Sequence, residues 1–317
     1  MKCDIEFLKL LLYNKLVIRY VYDKTKTNGW IIMAIKSDWH IHTHCSCDSA
    51  CMEFETLIND AKALGITDFG VSDHYHTRLQ ESDIAASRAD YEATIVRHPE
   101  LKGHFHFGIE ATVVSEWEVE KIKRKDYDEF PEYGIRVGGP AGAPVMFDID
   151  DEFVEKYKID YVVAGMHWPM YCGTDTDSLL KEYHRQYMFC ATNPLSTILA
   201  HYLWWDDCLY SSLWNMPDLK NPFLNFSVIP ESMRDELKSA LTENNVAFEL
   251  NPCMFNKNMP TSFVDDYLGW ASDLAKSGVT LAFGSDCHRP RLADVKYREI
   301  EGIFTHYGID TDKFFSL

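Results

Sequence analysis

The sequence is short of several things at once, and each shortage narrows the reading. No run of about 18 uninterrupted apolar residues occurs in the 317-residue chain, which argues against a membrane-spanning helix. The apolar stretch "FLKLLLYNKLVI" near the start has a signal-peptide flavour. However, Asp4 and Glu6 precede it, Lys9, Asn14 and Lys15 interrupt it, and no small-residue cleavage site follows. Residues 1–32 are therefore expected to be a poorly packed extension, with "MAIKSDWHIHT" marking the natural start at Met33. Paired cysteines are missing too. Nine cysteines, an odd number, are scattered without a CxxC, which fits a reducing cytoplasm better than a disulfide framework. Positive charge is scarce: 31 Lys and Arg against 49 Asp and Glu give a formal charge of −18. That balance disfavours a broad nucleic-acid or anionic-membrane surface. There is also no internal repeat and no low-complexity tract.

What is present is an alternation of β-type runs and helical periods. The strand candidates are 34–42, 66–74, 104–112, 159–167, 196–202, 246–252 and 279–288, each rich in β-branched or aromatic residues. Between them, "EFETLINDAKALG" repeats apolar residues with a helical period and closes on Gly65, and "SFVDDYLGWASDLAKSG" closes on Gly278. "PESMRDELKSALTENN" opens with a helix-starting proline. Strand–helix alternation predicts an α/β fold with a parallel sheet covered by helices, as a closed barrel or an open doubly wound sheet. The charge-dense segment 113–157, with its GGPAGAP turns, reads as an insertion after the third strand within a single domain spanning 33–317.

The stretch "DWHIHTHCSCD" places His40 and His42 two apart on a strand, so both rings face one way. Alone, such a pair is more often two core histidines satisfied by backbone carbonyls. Other strand ends change that reading. The second candidate strand carries Asp73 and His74, the third Glu110, the fourth His167, the fifth His201 and the seventh Asp286 and His288. The C-terminal rim of parallel strands is where active sites assemble. One polynuclear metal site accounts for all these residues together. Imidazole and carboxylate without obligatory thiolate suit zinc, manganese or iron(II). Six histidines with Glu110, Asp286 and Asp48 exceed the capacity of one ion, and two or three ions fit the count.

Taken in order, "DWHIHTHCSCD", "VSDH", "GIE", "AGMH", "LAH" and "GSDCH" resemble the motifs of the PHP family, named for polymerase and histidinol phosphatase. The resemblance spans residues 36 to 290. It implies a distorted (β/α)7 TIM-like barrel, a trinuclear metal centre and hydrolysis of phosphoesters. Carried over by position, it implies that His40, His42, Glu110 and Asp286 hold one ion and that Glu110 bridges to a second held by His167 and His201. Asp48, His74 and His288 would hold a third. The chain departs from a histidinol phosphatase at "LAHYLWWDD", which has no arginine to grip phosphate, and it lacks the companion domains of the polymerases.

The implied chemistry is attack on a small phosphate mono- or diester by a metal-activated hydroxide. Arg289 is the leading candidate to bind the phosphate, with His76 and Arg78 behind it. Asn251 is a candidate substrate contact, and Asp73 a candidate proton shuttle or ligand-orienting group; capping the next turn is the plain alternative for Asp73. His44, His98, His104, His106, His184 and His306 read as surface or packing residues. Cys45, Cys47 and Cys51 do not have the spacing of a zinc knot. Aromatics in "HYLWWDD" and "MHWPMY" could stack on a ring-bearing leaving group. The rival classes are a metal-dependent amidohydrolase, which would call for a bridging lysine absent from these strand ends, and a non-catalytic relic, which should have lost ligands.

Overall fold

The computed structural model describes residues 35–256 and 258–317. The expected extension at 1–32 and the start at Met33 lie outside them. Among the described residues nine strands run in chain order: Ser37–Asp38 (β1), Asp68–Tyr75 (β2), Phe105–Thr112 (β3), Val114–Ser115 (β4), Val145–Met146 (β5), Tyr161–Gly165 (β6), Ile198–Leu199 (β7), Ala247–Leu250 (β8) and Leu281–Phe283 (β9). Seven of them form one parallel sheet in the order β1-β2-β3-β6-β7-β8-β9. The two ends meet. Trp39 N–H donates to the Phe283 carbonyl at 3.0 Å, Asp286 N–H to that of His40 at 2.7 Å, and Ile41 bridges Cys287 in parallel. The result is a nearly closed seven-stranded barrel.

The main covering helices are Phe54–Leu64 (α1), Glu81–Arg97 (α2), Glu116–Arg124 (α3), Asp151–Tyr157 (α4), Thr176–Thr192 (α5), Asp207–Leu213 (α6), Glu231–Asn244 (α7), Thr261–Lys276 (α8) and Tyr297–His306 (α9). In α1 the periodic residues Phe54, Leu57, Ile58 and Ala61 are buried, and Gly65 ends the helix at φ 78°, a left-handed position that costs glycine little. The segment 113–157 contains the antiparallel β4–β5 ribbon, α3 and α4. Its Val113, Val119, Phe147 and Phe153 join the same apolar cluster as the barrel's outer face. No helix among the described residues is long and apolar enough to cross a membrane.

The barrel interior has two storeys. In the lower one Trp39, Tyr161, Val163, Ile198, Ala200, Ala247 and Ala282 make a separate apolar cluster, with Phe315 packed against it. Glycine at positions 70 and 108 is required there, because a Cβ at either would run into the Tyr161 ring. Period-two alternation then carries the same inward face upward. It runs from Gly70 through Ser72 to His74, and from Gly108 to Glu110 and Thr112. The parallel register sets His74 directly beside Glu110.

Candidate metal centre

In the upper storey the inward residues turn from apolar to ionisable. Glu110 is fully buried and meets five imidazoles. Its Oε2 lies 3.2 Å from His40 Nε2, 3.5 Å from His42 Nε2 and 2.7 Å from His74 Nδ1. Its Oε1 lies 3.0 Å from His167 Nε2 and 2.8 Å from His201 Nε2. Asp286 Oδ1 is 3.1 Å from His42 Nε2 and 3.6 Å from His40 Nε2. At the rim, Asp48 Oδ2 contacts His288 Nε2 at 2.5 Å and His74 Nε2 at 3.4 Å. The nine residues singled out in the sequence thus form one connected cluster.

In four of the six histidines the far ring nitrogen is tied down. His40 Nδ1 meets Glu249 Oε1 at 2.6 Å, His167 Nδ1 meets Thr112 Oγ1 at 2.9 Å, and His288 Nδ1 meets the Asp286 carbonyl at 2.9 Å. His42 Nδ1 has Ser46 Oγ at 3.4 Å. Partners of this kind fix ring orientation and leave the other nitrogen facing the cluster, the arrangement typical of metal-ligating histidines. Glu249 does a second job, because its Oε2 accepts the backbone N–H of His201 at 2.5 Å. His201 and Asp286 both sit at positive φ, 21° and 53°, strain of the kind that gathers at functional sites.

Seven cluster atoms are buried with no hydrogen-bond partner among the described residues: His40 Nε2, His42 Nε2, His74 Nδ1, His201 Nδ1, Glu110 Oε2, Asp48 Oδ1 and Asp286 Oδ1. Several of them touch one another at the distances above, but without the angles of a hydrogen bond. Buried polar atoms are ordinarily satisfied, so so many orphans in one place call for a missing partner. No lysine or arginine among the described residues pairs with Glu110, Asp286 or Asp48. A divalent cation fits this donor set of imidazole nitrogens and carboxylate oxygens. Three subsets bring their ligand atoms within 4.8 Å of one another: His40, His42 and Glu110; His74, Glu110 and His167; and His42, Asp48, His74 and His288.

Electrostatics point the same way. Burial pushes the Glu110 carboxyl up, but the imidazoles of His74, His167 and His40 outweigh it and hold the group well below its ordinary range. Burial lowers His74, yet Glu110 and Asp48 raise it to about 10. Burial, with His74 and His288 nearby, drives His42 down to about 3, and burial takes His167 to about 4. Protons and cations therefore compete for the same atoms.

The other expected site residues fare differently. Asp73 points away from the cluster, as its neighbour relation to His74 on a strand requires. It accepts from the Thr43 N–H at 2.5 Å, the Thr43 hydroxyl at 2.7 Å and the Ser87 hydroxyl at 2.5 Å. Of the two readings open for Asp73, these contacts match the plain one: it pins the turn after His42. Asn251 is buried, and its amide donates to Asp286 Oδ2 and Glu249 Oε2, both at 3.3 Å. It holds a carboxylate of the cluster and is not displayed to solvent. Arg289 is exposed and makes no side-chain hydrogen bond or ion pair among the described residues. Arg78 is spent on Asp148, at 2.8 and 3.1 Å. His76 is buried beside the cluster, stacked on His74 with centroids 5.1 Å apart, and shares the Thr112 hydroxyl at 2.7 Å. His44 is exposed and meets Asp90 and Glu53. Cys45, Cys47 and Cys51 form no common cluster.

Among solved structures, the chain matches histidinol phosphate phosphatase from Lactococcus lactis, which was solved with zinc, L-histidinol and phosphate. The match covers 87% of this chain and 94% of that one, at 16% identity and a TM-score of 0.53. The two share a fold. A candidate histidinol phosphatase from Listeria monocytogenes aligns over 86% of this chain and 100% of its own, at 13% identity and a TM-score of 0.49. No family model and no curated protein sequence matches the chain. The (β/α)7 barrel implied by the resemblance is thus the fold observed.

Proposed function

We propose that this chain is a metal-dependent phosphoesterase acting on a small phosphate mono- or diester at a centre of two or three divalent ions. The observation that carries the reading is Glu110, buried among five imidazoles with cluster-facing atoms left unpartnered. In this reading His40, His42, Glu110 and Asp286 hold one ion; Glu110, His167 and His201 a second; Asp48, His74 and His288 a third. The zinc and phosphate of the Lactococcus lactis structure support it. When bound, such ions supply a water nucleophile that is deprotonated near neutral pH, together with Lewis-acid neutralisation of phosphoryl charge.

The chain's own residues do the positioning. Glu249 orients His40 and the His201 backbone, Thr112 orients His167, and Asp73 fixes the turn that leads from His42 to Asp48. Trp168 and Trp204 pack beside His167, with centroids 6.3 and 5.8 Å away, and keep bulk water from that side. Purified protein loaded with manganese or zinc should hydrolyse aryl phosphate mono- or diesters, nucleotides or sugar phosphates. Turnover of amides or lactones alone would transfer the assignment to an amidohydrolase.

A further inference from the structure

Within the phosphoesterase reading one part is missing. Of the arginines named from the sequence, Arg78 is occupied by Asp148, and Arg289 is exposed with no hydrogen bond or ion pair among the described residues to hold it in place. A different arginine, Arg136, comes from the irregular part of the 113–157 segment. It is half-buried, and its guanidinium lies over the Trp168 ring, 5.0 Å from the centroid, and 5.8 Å from that of Tyr133. Its one side-chain hydrogen bond among the described residues is a long one, Nε to the Tyr133 carbonyl at 3.4 Å. No carboxylate among the described residues pairs with it, in a chain with 49 acidic residues in all.

The strap that carries Arg136 is built into the site's edge. Gln80 donates to the Glu132 carbonyl at 2.7 Å, and Tyr133 hydroxyl to the Cys47 carbonyl at 3.2 Å, next to Asp48. Ile135 N–H donates to Glu118 at 2.6 Å, and Tyr171 hydroxyl to the Ile135 carbonyl at 2.9 Å. One end of the strap therefore docks beside Asp48 and the other on Glu118 and Tyr171, while Gly134 and Arg136 pack on Trp168, the residue after His167. The two rings under Arg136 also flank His76: Trp168 lies 5.7 Å and Tyr133 6.1 Å from it. His76 in turn stacks on His74. The guanidinium is thus held over two rings that adjoin the cluster, with its two terminal amino groups unpaired among the described residues.

We propose that Arg136 is the phosphate anchor of this site, its terminal amino groups taking two non-bridging oxygens of a phosphomonoester dianion. A planar fork suits that pair of oxygens, and a position fixed by four hydrogen bonds loses little freedom when the ligand arrives. A monoester has a third non-bridging oxygen to spare for the cluster, which a diester lacks. The site accordingly favours monoesters.

The test uses the full chain loaded with metal, with inorganic phosphate as the calorimetric probe and p-nitrophenyl phosphate and bis(p-nitrophenyl) phosphate as substrates. Arg136→Gln, which keeps an aliphatic stem on Trp168, should weaken phosphate binding and raise KM for the monoester by about 10- to 100-fold, the range for hydrogen bonds to a charged group. It should do so with metal content unchanged and with a smaller effect on the diester. Arg136→Lys should fall between, because an ammonium supplies charge without the fork. Arg124→Gln, an exposed arginine on α3 of the same segment, should leave all three values alone. Wild-type phosphate affinity in Arg136→Gln, or no phosphate binding by the wild-type chain, overturns the proposal. A wild-type chain that cleaves neither ester but loses phosphate binding on Arg136→Gln would sink the phosphoesterase reading and sustain the anion site.

Discussion

Two buried carboxylates, Asp38 on β1 and Glu110 on β3, are handled in opposite ways. Asp38 has a complete set of neutral donors: Tyr297 hydroxyl at 2.5 Å, Ser285 N–H at 2.9 Å and His40 N–H at 3.3 Å. Burial dominates there and pushes its carboxyl up to about 6, with those hydrogen bonds pulling it only part of the way back. Glu110 is equally buried, faces imidazoles and not hydroxyls or amides, and is held well below its ordinary range. The first environment closes on its carboxylate and leaves nothing to add. The second leaves donor atoms aimed at common points without hydrogen-bond geometry. A structural carboxylate and a ligand carboxylate can thus be told apart by what faces them, even at the same burial.

The comparison can be broken most severely at Glu110. Glu110→Gln or Asp286→Asn should cut phosphoesterase activity by more than about a hundredfold, beyond the usual cost of losing a supporting residue around a metal. Steady-state assays at saturating metal check this. One step outward, Glu249→Gln should lower metal affinity about 10- to 100-fold while the fold persists, as metal titration would read. At Asp38 the consequence concerns stability alone. The folded pKa is raised above the unfolded one, so the native state holds the proton more tightly. Stability from this group is full below the unfolded pKa of 3.8 and is lost as pH rises through about 6. Asp38→Asn should therefore gain on the wild type between pH 4 and pH 8, by up to about 3 kcal/mol, measured by denaturant titration at both pH values. Smallest of all, His44→Ala, on an exposed turn, should change activity by no more than about twofold.

Much of this was legible in the chain. Six of the seven strand windows contain their strand, and the second misses only Tyr75 at the end of β2, because β-branched and aromatic runs bounded by helical periods mark the strands well. The observed strands are mostly shorter. β1 stops at Asp38, although the window ran to His42; beyond it the pairing to both neighbours continues as separate bonds, Ser72 N–H to the Ile41 carbonyl and Asp286 N–H to that of His40. Ligand candidates could be read because they recur at strand ends. For Asp73 a place at the strand end leaves both readings open, and period-two alternation separates them by setting it on the opposite face from His74. The same alternation held the signal for Glu249, two residues before Asn251, and for Thr112, two after Glu110. Arg136 had no such signal, since it sits outside regular structure and only tertiary contacts bring it to the rim.

Elemental analysis of the purified, metal-loaded chain tests the central claim most directly. Two to three tightly held divalent ions per polypeptide, falling on Glu110→Gln, is the predicted result. Less than one ion per chain would contradict the account.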